Sequence, residues 1–427
     1  MLKGVRTSRL PNGVRVVTSA LPHLESVSVG LWAGVGGRHE RAALSGISHF
    51  IEHLLFKGTI RRSARAISQA IEGRGGYLNA FTQEESTCYY ARIAADYTWH
   101  AFDVLADMYL NPRFAAGDIE RERGVIAEEI MMYRDQPQHA VQEMLRGQLW
   151  KDHALGRGLA GTPETVAAMQ RRDILAFKRA RYVGANTVAA FAGKVKHDVC
   201  VARVARAFGR LPRRLRSRGT RVRGKTRVVR IGAEQRDIEQ SHLTLGFRIF
   251  GRNDERRYAL KILSAVLGEN MSSRLFQLLR EKHGMAYAVH SGSHMFRDTG
   301  AFVISAGLEK TKTGKALSLV LRELNRLRTV PVGSAELKRA KDYAIGQLRL
   351  GLESTSYQMI WIGENLMTFG RFIAPDLVVE KLRHVTASEI QKLAGAIFRR
   401  AASSVACIAP APERKTRDDI ARCLAAL

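Results

Sequence analysis

The sequence predicts an α+β protein of two similar domains, each a mostly antiparallel sheet packed with helices. Three observations carry this. Strand-like segments come in runs followed by runs of helical pattern, which argues against a doubly wound βαβ sheet. The order strand, helix, helix, strand, strand, helices occurs twice, once on each side of a basic stretch in mid-chain. At 427 residues and 45% hydrophobic content, the chain is long enough for two domains with their own cores.

In the first half, residues 5–10 and 14–19 read as a hairpin around Pro11-Asn12-Gly13, and 25–33 alternates like a strand with one buried face. Gly34, Gly36 and Gly37 mark a turn. The apolar run from Gly46 to Phe56 suits a helix, and a second runs from Ala64 to Glu72, stopped by Gly73 and Gly75. Strands are expected at 76–82 and 86–94. Helical pattern returns at 97–110 and from Ala116 to about Trp150, softened near Pro137; helices at 164–182 and 196–208 flank a strand at 186–194. In the second half, strands near 226–232 and 240–248 precede helices at about 255–268 and 272–282. Strands at 286–294 and 301–307 follow, then helices near 313–327, 333–351, 355–368 and 387–397 and a closing strand at 403–409. The division expected is an N-terminal domain over 1–212, a basic linker over 213–226 and a C-terminal domain over 227–427.

The formal charge of +28 raises the question of a nucleic-acid partner. Basic residues crowd between Arg210 and Arg230, but no aromatic residue interleaves them, and base-stacking surfaces combine the two. That segment therefore reads as a solvated linker, and nucleic acid is not an expected partner. Cys88, Cys200, Cys407 and Cys423 are widely spaced with no C-x-x-C pair, so neither a disulfide framework nor a thiolate zinc site is indicated. No signal-type apolar region precedes the first strand, and no apolar run reaches the eighteen or so residues that span a bilayer. A protein of a reducing compartment, with no membrane span and a cytoplasmic location, is the expectation.

The chemistry concentrates in His49-Phe50-Ile51-Glu52-His53, inside the Gly46–Phe56 run. Residues three and four apart share a helix face, so His49, Glu52 and His53 can converge on one point. Neutral imidazoles are good zinc ligands, a catalytic site takes three protein ligands plus a water, and a nearby carboxylate can accept that water's proton. H-x-x-E-H is the inverse of the H-E-x-x-H zinc motif. A third ligand is sought in Val125-Ile126-Ala127-Glu128-Glu129-Ile130-Met131, which offers both Glu128 and Glu129; Glu122 lies seven residues before Glu129, so those two can point the same way.

These residues, taken with their surroundings, resemble the pitrilysin–insulinase family of zinc peptidases, in particular the short bacterial members of its mitochondrial processing peptidase-like branch. The resemblance covers most of both halves. It includes the motif with Leu54-Leu55-Phe56-Lys57-Gly58-Thr59 after it, and Gly76-Tyr77-Leu78-Asn79-Ala80-Phe81-Thr82 with Glu85, Thr87 and Tyr89. It continues through Glu122 and Glu129, and through Ser272-Ser273-Arg274-Leu275-Phe276 to Leu279-Arg280-Glu281-Lys282 and Ala286-Tyr287.

The resemblance implies one zinc ion per chain, bound by His49, His53 and Glu129, with Glu52 as general base and Glu122 orienting a ligating histidine. It implies that Asn79 and Ala80 dock extended substrate by strand addition, that Phe56 lines the pocket after the scissile bond, and that Arg280 and Tyr287 approach the substrate and the developing oxyanion. The activity implied is endopeptidase or oligopeptidase cleavage of unfolded peptides in a chamber of which this chain forms one half, like one shell of a clamshell. A homodimer is then the expected partner state, or a heterodimer with an inactive homologue; a non-catalytic assembly subunit of the same fold is the alternative. Where processing peptidases place two acidic residues to grip an upstream arginine, this chain has His139 and Glu143, so a strict arginine preference is not expected. Nor is the glycine-rich loop of the non-catalytic processing subunit evident in Leu267-Gly268-Glu269-Asn270-Met271.

Overall fold

Two sheets of related topology organise the protein, each built where β-branched, aromatic and small apolar residues recur. In this computed structural model, which describes residues 4–214, 219–222 and 229–425, the first sheet has six strands: β1 (Val5–Arg9), β2 (Arg15–Ala20), β3 (Ser26–Ala33), β4 (Tyr77–Thr82), β5 (Thr87–Ala94) and β6 (Thr187–Gly193). Their order is β1-β2-β6-β3-β5-β4, antiparallel throughout except for the parallel pair β2–β6. The second sheet contains β7 (Arg230–Gln235), β8 (Gln240–Ile249), β9 (Ala286–Met295), β10 (Gly300–Glu309) and β11 (Ser403–Ala409), in the order β7-β11-β8-β10-β9. Only β7–β11 is parallel there. Leave out β1, and the first sheet reads strand for strand as the second. The repeat inferred from segment order is thus a repeat of topology, and the α+β class with mostly antiparallel sheets holds.

The helices are α1 (Ile47–Leu55), α2 (Ala64–Ile71), α3 (Thr98–Leu110), α4 (Ala116–Asp135), α5 (Pro137–Leu149), α6 (Pro163–Ala168), α7 (Arg171–Arg181) and α8 (His197–Phe208) in the first half. The second half has α9 (Arg257–Leu267), α10 (Thr313–Thr329), α11 (Ser334–Gly351), α12 (Thr355–Phe369), α13 (Pro375–His384), α14 (Ala387–Ile397) and α15 (Glu413–Leu424). The long helical stretch expected to Trp150 divides at Gln136, whose extended backbone is what a following proline imposes; Pro137 then opens α5 at its first position. The helix expected over 272–282 is a widened π-type turn at Phe276–Lys282. Helices α13 and α15 go beyond the sequence reading. None of the described helices is long and apolar enough to cross a membrane, and the four cysteines are free.

The compact units interleave along the chain. One gathers the residues up to Met131 with Arg157–Thr220 and Leu348–Asp376; the other gathers Met132–Gly156, Arg221–Gln347 and the residues from Leu377. Each sheet is therefore completed by a helix from the other half of the chain, an exchange that a division into 1–212 and 227–427 does not contain. Of the linker expected at 213–226, residues 215–218 and 223–226 lie outside the described residues.

In the first unit, Val27, Val29 and Leu31 of β3 face the core made with Phe50, Ile51 and Leu54 of α1 and Leu105 of α3. The single buried face expected for this strand is corrected: Trp32 and the other face of the sheet are buried too, against Met359, Ile362 and Leu366 of α12. The physical reason lies in the polar residues on that face, which find partners on the covering helix. Ser28 Oγ bonds Thr355 Oγ1 at 3.0 Å, and Ser19 Oγ bonds Gln358 Oε1 at 2.8 Å. In the second unit α5 plays the same part. Val141, Leu145 and Leu149 pack with Val303, Ala406 and Ile408, and Gln142 donates to Ser305 Oγ at 2.6 Å.

Candidate metal centre

Helix α1 turns Ile47, Phe50, Ile51, Leu54 and Leu55 into the core, a stripe at the helical period. That stripe leaves His49, Glu52, His53 and Phe56 on the opposite side, half-buried. The start of the helix is held by two close approaches. Gly46 sits at φ +94°, and a Cβ there would stand 2.4 Å from the Ala160 carbonyl oxygen, so only glycine fits. Since glycine has no side chain to cap the helix, the buried Glu40 carboxylate does so: it accepts from the Gly46 N–H at 2.8 Å and the Ser48 N–H at 2.9 Å. Burial raises the Glu40 pKa, and these two hydrogen bonds oppose the shift.

Helix α4 brings in the third group. Glu128 is exposed, whereas Glu129 faces the imidazoles: Glu129 Oε2 lies 3.7 Å from His49 Nε2 and 3.4 Å from His53 Nε2. One donor atom from each of His49, His53 and Glu129 falls within 4.8 Å of the other two. Ligands of a tetrahedral zinc, each about 2.0–2.2 Å from the ion, stand roughly 3.3–3.6 Å apart, so these residues are close to the spacing a bound ion would set. His53 Nδ1 is 3.1 Å from Glu122 Oε2, and this contact to a buried carboxylate selects the tautomer with Nε2 turned toward Glu129. A lone pair then faces a carboxylate oxygen. Either a proton or a cation must lie between them, and the donor set of two imidazoles and a carboxylate fits zinc.

The electrostatics agree with that demand. Burial, with help from the neighbouring His53, lowers the His49 pKa to about 4, so its ring is neutral near neutral pH and able to ligate. Burial also pulls down on His53, but its hydrogen bonds to Glu129 and Glu122 outweigh it and raise the pKa. Glu52 is raised, chiefly by burial, against the opposing pull of Thr82 and His53. The Thr82 hydroxyl donates directly to the Glu52 carboxylate. Thr82 ends β4, which is the edge strand of the first sheet, so Asn79 and Ala80 lie on an edge that leads to Glu52. The Asn79 side chain covers part of this edge, its Oδ1 accepting from the Ala80 N–H at 2.7 Å. Phe56 closes α1 as its C-cap.

The remaining candidates belong to the second unit. Arg280 and Tyr287 come together there: Arg280 Nη1 donates to the Tyr287 carbonyl at 3.1 Å, and the guanidinium lies over both the Phe276 and Tyr287 rings, 5.0 and 5.4 Å from their centroids. Tyr287 is 74% exposed, at the start of edge strand β9. Glu143 is an exposed residue of α5. The sequence alone assigns no role to Thr82, Glu40 or Lys57, whose Nζ is 2.7 Å from Glu122 Oε1. Thr82 and Lys57 sit inside the segments that carry the family resemblance, which was the available signal; nothing in the spacing singled out Glu40.

Comparison with known proteins places the chain in a family. Residues 15–163 match the family model described as Insulinase (Peptidase family M16), and residues 168–343 match the one described as Peptidase M16 inactive domain. An uncharacterized zinc protease of Mycobacterium bovis is 40% identical over 401 residues, covering 92% of this chain and 91% of that protein. One of Bacillus subtilis is 35% identical over 387 residues, covering 91% and 94%. Among solved structures, a protease from Helicobacter pylori aligns with a TM-score of 0.92 at 22% identity, over 96% of this chain and all of that one (100%). A chain of complex III2 from Candida albicans aligns with a TM-score of 0.84 at 19% identity, over 98% and 100%. At such identities the structural matches speak for the fold, whereas the sequence matches speak for kinship: the chain belongs to the insulinase family of peptidases, family M16.

Proposed function

We propose that this protein is a zinc-dependent endopeptidase or oligopeptidase that hydrolyses unfolded peptides, with His49, His53 and Glu129 holding one zinc ion and Glu52 serving as general base. The observation that carries this reading is the convergence of those three donor atoms within 4.8 Å of one another beside a carboxylate of raised pKa. Bound there, zinc supplies a water of lowered pKa and a positive charge for the substrate's carbonyl oxygen. Glu52, steered by Thr82, takes the proton of the attacking water and returns it to the leaving amine. Ala80 and Asn79 lie on the edge strand of the sheet, where an extended peptide that displaces the Asn79 side chain from the Ala80 N–H can add as a further strand, which supports recognition of unfolded chains. Phe56, which closes α1, lines the pocket after the scissile bond, and Glu143 is assigned to substrate binding.

Arg280 and Tyr287 contribute a cation and a phenol donor for substrate and oxyanion, and in a homodimer they serve the site of the second copy, the two chains enclosing one chamber. A heterodimer with an inactive homologue is the variant of this arrangement, and a cytoplasmic setting suits it. The alternative, a non-catalytic assembly subunit, draws on the shared fold with the complex III2 chain. The complete set of three ligands and a base supports the enzyme.

The test measures zinc content and cleavage of quenched fluorescent peptides for wild type and Glu52→Gln. The proposal requires about one zinc per chain in both and cleavage by the wild type alone. A zinc-free wild type, or one that cleaves no member of a broad peptide library, overturns it. Mixing Glu52→Gln with Tyr287→Phe protomers tests the shared chamber, and no recovery of activity after verified subunit exchange overturns that part.

A further inference from the structure

Glu122 is a buried carboxylate, 3% exposed, and both of its oxygens are engaged. Oε2 faces His53 Nδ1 at 3.1 Å; Oε1 faces Lys57 Nζ at 2.7 Å. The terminal torsion of a glutamate is soft, with a broad energy profile. A hydrogen bond from one imidazole leaves the carboxylate free to rock about that contact, whereas a second hold on the other oxygen fixes its plane. Lys57 is placed to give that hold. It follows Phe56, the residue that closes α1, so its cation also lies at the helix end that favours positive charge. Its side chain is 38% exposed, so the stem runs in from solvent and delivers only the ammonium to the buried group.

We infer that Lys57 is a positioning residue of the metal centre: its ammonium anchors one oxygen of Glu122, so that the other oxygen holds the His53 ring with Nε2 turned toward the metal. The inference rests on the zinc-site reading above and deepens it. Lys57 touches neither metal nor substrate; its effect passes through Glu122 and then His53. Outer partners of metal-ligating histidines typically change metal affinity by about 10- to 100-fold when removed, and a residue one step further out belongs at the lower end.

The test is a chelator-competition titration of zinc affinity, with a thermal melt of each variant to show that it is folded. Lys57→Met is expected to weaken zinc binding by roughly 10-fold, while Lys57→Arg, which keeps a cation within reach of Oε1, stays close to wild type. The deciding variant is the double mutant. If Lys57 acts through Glu122, then adding Lys57→Met to Glu122→Gln changes the affinity very little, because the path is already cut. Unchanged affinity in Lys57→Met overturns the role of Lys57, and so does a loss of equal size in the presence and absence of Glu122→Gln. A wild type that takes up no zinc overturns the zinc-site reading itself, and this inference with it; the two failures are distinguishable in the first titration.

Discussion

The Thr82 hydroxyl donates to the Glu52 carboxylate, which ties the edge strand β4 to the motif helix α1 at the proposed base. A hydrogen bond to a charged group contributes about 1.5–3 kcal/mol. Thr82→Val keeps the shape and removes the donor, so kcat for peptide cleavage should fall by roughly 10- to 100-fold while zinc content stays at the wild-type level. Thr82→Ser, which restores the hydroxyl, should recover most of the loss. Equal kcat in wild type and Thr82→Val would sink the idea that this hydroxyl orients the base.

Glu40 is one step back from the chemistry but carries the start of the same helix. Removing its carboxylate leaves the Gly46 and Ser48 N–H groups without their acceptor in a buried setting. Each such orphaned group costs about 1–3 kcal/mol, so Glu40→Ala should lose on the order of 2–4 kcal/mol in denaturant unfolding of the metal-free protein. Glu40→Gln, which keeps one acceptor oxygen, should lose less. A Glu40→Ala protein as stable as wild type contradicts the capping role.

Much of this centre was legible in the sequence because its parts are local. His49, Glu52 and His53 lie within one turn and a half of helix, so their convergence follows from helical period alone. Choosing Glu129 over Glu128 needed either the family resemblance or the structure, since adjacent helical residues differ only in the direction of the side chain, and Glu128 points to solvent. Strand positions were legible from apolar alternation; what covers them was not. Ser28 and Trp32 alternate with Val29 and Leu31 as they would in a strand with a solvated face, and only the partners on α12, more than 300 residues away, show that face to be buried. Glu40 was hidden for a related reason: its role depends on a loop folding back on the helix it precedes, a tertiary fact with no sequence period.

The exchanged helix α12 can be probed through its own glycine. A Cβ at Gly363 would stand 2.2 Å from Trp32 Nε1 and 2.8 Å from its Cε2, and the indole is fully buried. Alanine is the better helix former by about 1 kcal/mol, yet overpacking against a fixed ring costs typically 1–3 kcal/mol. Gly363→Ala should therefore destabilise the protein or at best break even. On the facing strand, a Cβ at Gly30 meets the Met359 Sδ at 2.2 Å, the flexible part of an unbranched side chain. In denaturant titrations Gly363→Ala should gain nothing from its helix propensity, and a stabilisation of 1 kcal/mol or so would show that α12 does not sit tightly on the sheet.

Acid stability gives a test away from the metal ligands. His39 Nδ1 accepts from the Gly36 N–H at 3.2 Å, and its pKa is lowered to about 4, first by burial and then by the Arg181 cation, with Glu85 opposing. The unfolded imidazole titrates near 6.5, so between pH 6.5 and 4 the unfolded chain binds more protons than the folded one. Stability then falls as pH falls through that window. With each pKa unit equivalent to about 1.4 kcal/mol, His39 alone accounts for up to about 3 kcal/mol by pH 4. Carboxylates and other histidines titrate in the same range, so the informative quantity is the difference between wild type and His39→Gln, which keeps an acceptor but does not titrate. Measured by denaturant unfolding of the metal-free proteins, that difference should be constant above pH 7 and shift by about 2–3 kcal/mol in favour of His39→Gln on acidification. Parallel curves from pH 7 to 4 would place His39 in a solvated, ordinarily titrating environment.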